Sequence, residues 1–191
     1  MSTLDQAVDA AFEPLRGRPE VDRAAAVVSN LSDYGLIWVL LAGLKARRRG
    51  PERRRAVVGL AAAGFSSLLV SRAVKAAVAR QRPEDHMVAS VRTPTSSSFP
   101  SGHTLAAFCT AFVLADSEAG TAANVGFAAA VAASRVHLRA HHPTDVIGGA
   151  AIGSVLGLGL RPVVDLVTPG RAGRGGRRRR GRGMRPTEVV L

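Results

Sequence analysis

Three short polar stretches of the chain carry the side chains best able to do chemistry. They read KAAVARQRP at 75–83, SFPSGH at 98–103 and SRVHLRAHHPTD at 134–145. Arginine offers a planar fork of donors that a phosphate accepts in bidentate fashion, and the N–H groups at a helix start bind anions. The set therefore predicts a phosphate site with two imidazoles of different role. The residues that fit such a site are Lys75, Arg82, Ser101, Gly102, His103, Arg135, His141 and Asp145.

The spacing of these residues resembles the type 2 phosphatidic acid phosphatase superfamily, which includes lipid phosphate phosphatases, bacterial acid phosphatases and vanadium haloperoxidases. The pattern is Lys, six residues, Arg-Pro; then Pro-Ser-Gly-His; then Ser-Arg, five residues, His, three residues, Asp. It covers the helical body from about residue 30 to 167. The resemblance implies hydrolysis of a phosphomonoester or diphosphate through a phosphohistidine intermediate, with no metal and no cofactor.

The same resemblance implies a role for each motif residue. His141 would be the nucleophile, and Asp145 would hydrogen-bond its other ring nitrogen and fix its orientation. His103 would protonate the leaving oxygen and then help water attack the intermediate. The phosphate oxygens would be held by Lys75, Arg82, Ser101, Gly102 and Arg135.

Each of these residues also has a purely structural interpretation. Lys75 or Arg135 near a helix end can be a cation reaching the membrane interface, and Ser101 or Asp145 can simply cap a helix. Such interpretations do not explain three spacings at once, so we favour the site.

Neighbouring polar residues are left outside the predicted site. His142 competes with His141, but the motif spacing selects His141. His137 and Arg139 occupy unspecified positions of the third stretch and are expected to face lipid headgroups. The single cysteine, Cys109, excludes an internal disulfide framework and is expected to pack inside a helix bundle.

The elements that must position these residues are apolar and show no alternating pattern, which favours helices. The second segment covers roughly 30 Å from Ala56 to Lys75, about one hydrocarbon core. We therefore predict an all-α, integral-membrane helical bundle with about five transmembrane helices. The candidate spans are residues 31–44, 56–79, 103–115, 121–140 and 145–167.

Three regions follow from this reading. Residues 1–29 are predicted to be an amphipathic N-terminal segment, which covers the outer surface near the site or pairs with another copy. Residues 30–168 form the membrane-embedded phosphatase domain. Residues 169–191 form a basic cytoplasmic tail that is predicted to be disordered.

Charge orients the predicted bundle. The chain has 26 Lys and Arg residues and a net charge of +12, with seven basic residues at 45–55 and eight at 170–186. The positive-inside rule places both clusters in the cytoplasm, which brings the three polar stretches to the opposite face. The high arginine and alanine content suggests a GC-rich bacterial genome. We expect a bacterial plasma-membrane protein whose active site faces the extracytoplasmic side.

The leading hypothesis is a lipid phosphatase acting on phosphatidic acid, phosphatidylglycerol phosphate, or a polyprenyl phosphate or diphosphate. One alternative is a vanadium-dependent haloperoxidase-like enzyme. Another is a non-catalytic membrane scaffold with a nucleic-acid-binding tail, but the tail lacks aromatic stacking residues. We expect the tail to contact anionic headgroups and not nucleic acid. The oligomeric state and the choice between mono- and diphosphate stay open.

Overall fold

Seven α-helices make up most of the described chain, which comprises residues 2–47, 50–83 and 96–169 of a computed structural model. Within these ranges no strand occurs, so the predicted all-α class is confirmed. The predicted disorder of the basic tail concerns residues outside the described ranges, apart from residue 169. The helices are α1 (Thr3–Phe12), α2 (Pro19–Ser32), α3 (Leu36–Ala46), α4 (Pro51–Ala77), α5 (Gly102–Val113), α6 (Glu118–His137) and α7 (Pro143–Val167).

Local sequence signals explain where the helices begin. The Ser2 hydroxyl accepts the N–H of Asp5, whose carboxylate accepts the N–H of Ser2 in return, which is a capping box. Proline occupies the start of α2, α4 and α7, where its missing N–H leaves no helical hydrogen bond unmade. Helix α5 begins at Gly102, directly after the Pro-Ser pair of the second polar stretch.

Two of the described helices are long and apolar enough to cross a membrane, by length and composition: α4, with 27 residues, and α7, with 25. Helix α2 and most of α3 would add a third span if they count as one, although they are bent by 64° at their junction. Helix α5 is apolar but has only 12 residues. The structure thus supports two or three spans, and the count of five stays a prediction.

Helix α5 lies inside the bundle, where it packs against α4, α6 and α7. Its contact with α7 is close because α7 turns a stripe of glycines toward it. A Cβ atom on Gly153 would lie 2.3 Å from the carbonyl oxygen of Leu105, and one on Gly157 would lie 2.5 Å from that of Cys109. Small residues let helix backbones approach in this way. The approach brings the start of α5 beside the start of α7.

The outward faces of the two long helices are apolar. Phe65 on α4 is 66% exposed, and Val155 and Leu166 on α7 are 73% and 79% exposed. Inside the bundle, Trp38 of α3 is buried and meets the Phe127 ring of α6 edge-on, with 5.6 Å between ring centroids. An apolar exterior around a packed interior is the pattern that a lipid environment favours.

The N-terminal segment packs on the helix bundle. Helix α1 contacts α6 and α7, and α2 contacts α6. Arg16, in the turn between α1 and α2, donates to the carbonyl oxygens of Val136 and His137 at 3.1 Å each. Residues at the end of α6 are therefore covered by this segment, while its predicted amphipathic role at a membrane surface stays a prediction.

Candidate active site

The three polar stretches meet at the end of the bundle where α4 ends and α5 and α7 begin. The N–H of Ser101 donates to the carbonyl oxygen of Asp145 at 3.0 Å, which ties the second stretch to the third. The Arg82 guanidinium donates to the carbonyl oxygen of Ala140 at 2.9 Å, which ties the first stretch to the third. Lys75 donates to the carbonyl oxygen of Ser97. The predicted site residues are thus brought together.

His141 is buried between two groups that define its tautomer. Its Nδ1 lies 2.8 Å from the carbonyl oxygen of Ser98, and its Nε2 lies 3.3 Å from Nη1 of Arg82. A carbonyl can only accept and a guanidinium can only donate, so Nδ1 carries the proton and Nε2 carries the lone pair. Burial lowers the pKa of His141 below its ordinary value. The ring is therefore neutral at pH 7, with Nε2 in the form a nucleophile needs.

Asp145 lies beside His141 but at more than hydrogen-bond distance. Its Oδ2 is 3.7 Å from Nδ1 of His141, and it accepts the N–H of His142 at 2.9 Å. The family resemblance implied a direct hydrogen bond from the ring to this carboxylate. The ring nitrogen has its short contact with the Ser98 carbonyl instead, because the second polar stretch folds over it. In this arrangement the carboxylate acts on the ring through its charge.

His103 has a carboxylate partner of its own. Its Nε2 lies 2.7 Å from Oδ1 of Asp33, which is in the short 3₁₀ turn Asp33–Gly35 between α2 and α3. Asp33 lies within the candidate span at 31–44 and was not among the predicted site residues. An ionisable residue within such an apolar segment is itself a signal of a functional site, and that signal could have found Asp33.

Arg135 supplies the clearest anion-binding feature. It is fully buried, and its Nη1 donates to the hydroxyl of Ser29. Its Nε and Nη2 have no hydrogen-bond partner among the described residues. Buried donors without partners are costly, and a planar pair of them matches two oxygens of a phosphate. These two nitrogens are therefore candidate donors to an anion.

A cavity of about 490 Å³ opens from the charged end and continues between α3 and α4. Five of the predicted site residues line it, while Ser101, Arg135 and Asp145 are buried around it. Its apolar wall includes Trp38, which is buried, Leu60, and the half-exposed Val39 and Leu68. The predicted residues that line the charged end are Lys75, Arg82, Gly102, His103 and His141.

Two further residues reach the site without belonging to a motif. Arg80 donates to the carboxylate of Asp145 at 2.6 Å and to that of Asp5 at 2.7 Å. Sequence reasoning missed both Arg80 and Asp5. Arg80 lies within the first polar stretch, which is a signal, whereas nothing in the sequence around Asp5 points to it.

The expected position of His137 at lipid headgroups is wrong. His137 is 2% exposed, and its Nε2 lies 2.7 Å from Oδ1 of Asp22 on α2. Arg139 donates to Glu13 at 3.0 Å. Both residues contact the N-terminal segment, for which the sequence left open whether it covers the outer surface near the site or pairs with another copy. The described residues contain no group of three or more His, Cys, Asp or Glu arranged to hold a metal ion.

Comparison with known proteins gives consistent matches. The profile of the PAP2 superfamily matches residues 55–168. The decaprenylphosphoryl-5-phosphoribose phosphatase of Mycolicibacterium smegmatis is 34% identical over 136 residues, which are 71% of this chain and 74% of that protein. The protein of the same name from Mycobacterium tuberculosis H37Rv is 32% identical over 155 residues, which are 81% of this chain and 84% of that protein.

Two solved structures share the fold, each with a TM-score of 0.66 and 23% sequence identity. One is a transmembrane PAP2-type phosphatidylglycerolphosphate phosphatase from Bacillus subtilis, and the match covers 89% of this chain and 90% of that one. The other is LpxE of Aquifex aeolicus, where the match covers 82% of this chain and 94% of that one.

Proposed function

The chain belongs to the PAP2 superfamily, and from that premise we propose that it is a membrane-bound, metal-independent lipid phosphatase that works through His141. The resemblance inferred from the three motifs is thereby confirmed, and so is the class of enzyme, a phosphoric ester hydrolase. The proposed mechanism through His141 rests mainly on one observation, which is that both site histidines line the same cavity. His103 and His141 line its charged end together with Lys75 and Arg82.

The first step is binding of the phosphate. The free Nε and Nη2 donors of Arg135 take two oxygens, while Lys75 and Arg82 add positive charge from the opposite stretch. The start of α5 at Gly102 lets backbone N–H groups approach the same anion. These groups hold the phosphorus in front of Nε2 of His141.

The second step is transfer of the phosphoryl group to His141. The Nε2 lone pair forms a bond to phosphorus as the bond to the leaving oxygen breaks, and His103 gives that oxygen a proton. The ring gains positive charge, which the Ser98 carbonyl at Nδ1 and the nearby Asp145 carboxylate stabilise. Water then attacks the phosphorus, His103 takes its proton, and the nitrogen–phosphorus bond breaks to release phosphate.

The shape of the cavity supports a lipid substrate. A headgroup phosphate at the charged end leaves the apolar wall between α3 and α4 for the lipid chain. The curated relatives are named for a phosphate on a polyprenyl-linked ribose. A phosphomonoester on a polyprenyl-linked sugar is therefore our first candidate, ahead of phosphatidic acid, phosphatidylglycerol phosphate and polyprenyl diphosphate. The apolar faces of α4 and α7 support a position within a membrane.

The proposal is tested by phosphate release from detergent-purified protein in excess chelator. The panel contains a polyprenyl-linked sugar phosphate, phosphatidic acid, phosphatidylglycerol phosphate, polyprenyl diphosphate and a soluble phosphomonoester. We expect chelator-resistant release that His141→Ala and His103→Ala both abolish. Release that persists in His141→Ala, or that requires added metal, would contradict the mechanism. Bromide oxidation with added vanadate tests the haloperoxidase alternative.

A further inference from the structure

Helix α1 directs one carboxylate toward the candidate active site. Asp5 is fully buried, and its Oδ1 accepts hydrogen bonds from the N–H and the hydroxyl of Thr144 at 2.9 and 2.8 Å. Burial alone would raise the pKa of Asp5, but hydrogen bonds from Thr144 and Ser2 outweigh it and hold the pKa below its ordinary value. Asp5 is therefore ionised at pH 7, and it is fixed at the first turn of α7.

Arg80 connects this carboxylate with Asp145. Its Nη2 lies 2.7 Å from Oδ2 of Asp5, and its Nη1 lies 2.6 Å from Oδ1 of Asp145. The second oxygen of Asp145 accepts the N–H of His142 at 2.9 Å. These two hydrogen bonds fix the fully buried Asp145 carboxylate 3.7 Å from Nδ1 of His141. The guanidinium therefore shares its charge between two carboxylates, of which only one adjoins the nucleophile.

We propose that Asp5 and Arg80 are positioning residues that hold Asp145 against His141 and set the charge that the His141 ring experiences. The inference rests on the proposed function, because it takes His141 as the nucleophile. Neither residue belongs to the three motifs, and Asp5 lies outside residues 55–168 that match the family profile. A role follows for the N-terminal segment: its first helix completes the support of the site.

Because Asp5 and Arg80 carry opposite charges, removing one or the other should shift the pKa of His141 in opposite directions. His141 must be neutral to attack phosphorus, so activity falls as the pH drops through its pKa. Without the Asp5 charge, Arg80 neutralises Asp145 more fully, and the pKa of His141 falls. Without the Arg80 cation, Asp145 stabilises the protonated ring more strongly, and the pKa of His141 rises. Among the described residues, the other charged groups near His141 and Asp145 are Lys75, Arg82 and Arg135, which are unchanged in both cases.

The experiment compares full-length wild type with Asp5→Asn, Arg80→Gln and the control Asp9→Asn. Phosphate release from phosphatidic acid in detergent micelles, in excess chelator, is measured as kcat and kcat/KM against pH. The control is matched because Asp9 is also an ion-paired carboxylate of α1, but it contacts Arg16 and Arg139 and not α7. The substrate phosphate titrates identically in all four proteins, so differences between them report the enzyme.

We expect Asp5→Asn to lower kcat by roughly 10- to 100-fold, the usual cost of losing a group that orients a reactive one, with little change in KM. The acid limb of kcat/KM should move to lower pH in Asp5→Asn and to higher pH in Arg80→Gln, while Asp9→Asn follows the wild type. Limbs that stay in place, or move in the same direction, would overturn the inference. Thermal unfolding shows whether each variant is folded. If Asp5→Asn is not folded, the shift of the acid limb in Arg80→Gln alone tests the inference, because the Arg80 side chain is partly exposed and its replacement is better tolerated.

His141→Ala in the same assay separates this inference from the proposed function. Release that His141→Ala leaves intact would overturn both, because no nucleophile would be left for Asp5 and Arg80 to serve. Release that depends on His141, combined with kcat values and pH limbs equal to those of Asp9→Asn, would overturn only the positioning role.

Discussion

The two site histidines are supported in different ways. His141 has a carbonyl on one nitrogen and an arginine near the other, whereas His103 has a carboxylate at 2.7 Å. Burial disfavours the protonated form of the His103 imidazole, and the Asp33 carboxylate opposes that cost by favouring the protonated form, which a general acid needs. The pairing with Asp33 thus agrees with the acid role proposed for His103.

Asp33→Asn should lower kcat for a lipid phosphate by about 10- to 100-fold, because the asparagine keeps the size of the side chain but not its charge. The defect should be much smaller for a nitrophenyl phosphate, since that leaving group departs without a proton. Steady-state rates on the two substrates measure the difference. Equal losses on both would show that Asp33 serves folding or binding, and not proton transfer.

The chain contains a matched control for this substitution. Asp22 and His137 form a second carboxylate–imidazole pair with the same 2.7 Å separation, outside the cavity. Asp22→Asn removes the same chemical contact and should leave both rates close to wild type. A loss of activity in Asp22→Asn as large as that in Asp33→Asn would point to general destabilisation of the N-terminal segment.

At the residue scale the motif residues were predictable, and their partners were not. The resemblance of the motifs to a known family singled out His103 and His141 as candidates, because each motif is a local pattern. Asp33 and Asp5 lie 70 and 75 positions from the residues they contact. Such contacts depend on how helices pack, and that packing leaves no local spacing to recognise.

At the element scale, the site depends on how closely α5 and α7 approach. Gly153→Ala should destabilise the protein by about 1–3 kcal/mol, because a Cβ there would lie 2.3 Å from the Leu105 carbonyl oxygen and the helices must separate. The same separation should stretch the hydrogen bond between Ser101 and Asp145 and lower kcat. Thermal unfolding in detergent and phosphate release measure the two effects.

Gly159→Ala is the control on the same helix. A Cβ at Gly159 meets nothing within 4 Å, so this variant should unfold at or slightly above the wild-type temperature, because alanine is the better helix former. If Gly153→Ala and Gly159→Ala behave alike in both assays, the close approach of α5 and α7 does not position the site.

Most of the helices could be predicted from apolar runs. The runs at 56–79, 103–115, 121–140 and 145–167 correspond to α4 to α7 within a few residues. The run at 31–44 does not, because a 3₁₀ turn occupies Asp33–Gly35 and α3 starts only at Leu36. Gly35 has a φ of +69°, a left-handed conformation that glycine adopts readily. This turn places Asp33 beside His103. A hydropathy pattern contains no information about such a contact between distant parts of the chain.

At the scale of the whole molecule, the two ends of the bundle carry different charged groups: one end has the candidate site, and the other has the first basic cluster. The site lies at the end of α4 that carries Lys75. The opposite end contains the ion pairs Lys45–Asp116 and Arg55–Asp165, both with 2.6 Å between the charged atoms. The first basic cluster therefore lies about 30 Å from the site along α4, at 1.5 Å per residue. This separation is what the positive-inside argument requires.

A topology measurement tests the predicted orientation. A reporter that is active only in the cytoplasm, fused after Leu191, should be active, because the basic clusters are predicted to be inside. The same reporter inserted ahead of α1 should be inactive if α1 covers an extracytoplasmic site. Activity in the reverse pattern would place the site in the cytoplasm and leave the chemistry unchanged.

The segment ahead of α3 contacts two motif residues of the candidate site and the supporting Arg80. Asp33 contacts His103, Ser29 contacts Arg135, and Asp5 contacts Arg80. These three contributors precede residue 55, where the family profile begins. The proposed support of the site is therefore divided between the segment that matches the family profile and the residues ahead of it. Over evolutionary time, such a division lets a lineage exchange its N-terminal helices and alter reactivity or preferred lipid without changing one letter of the signature that defines the family.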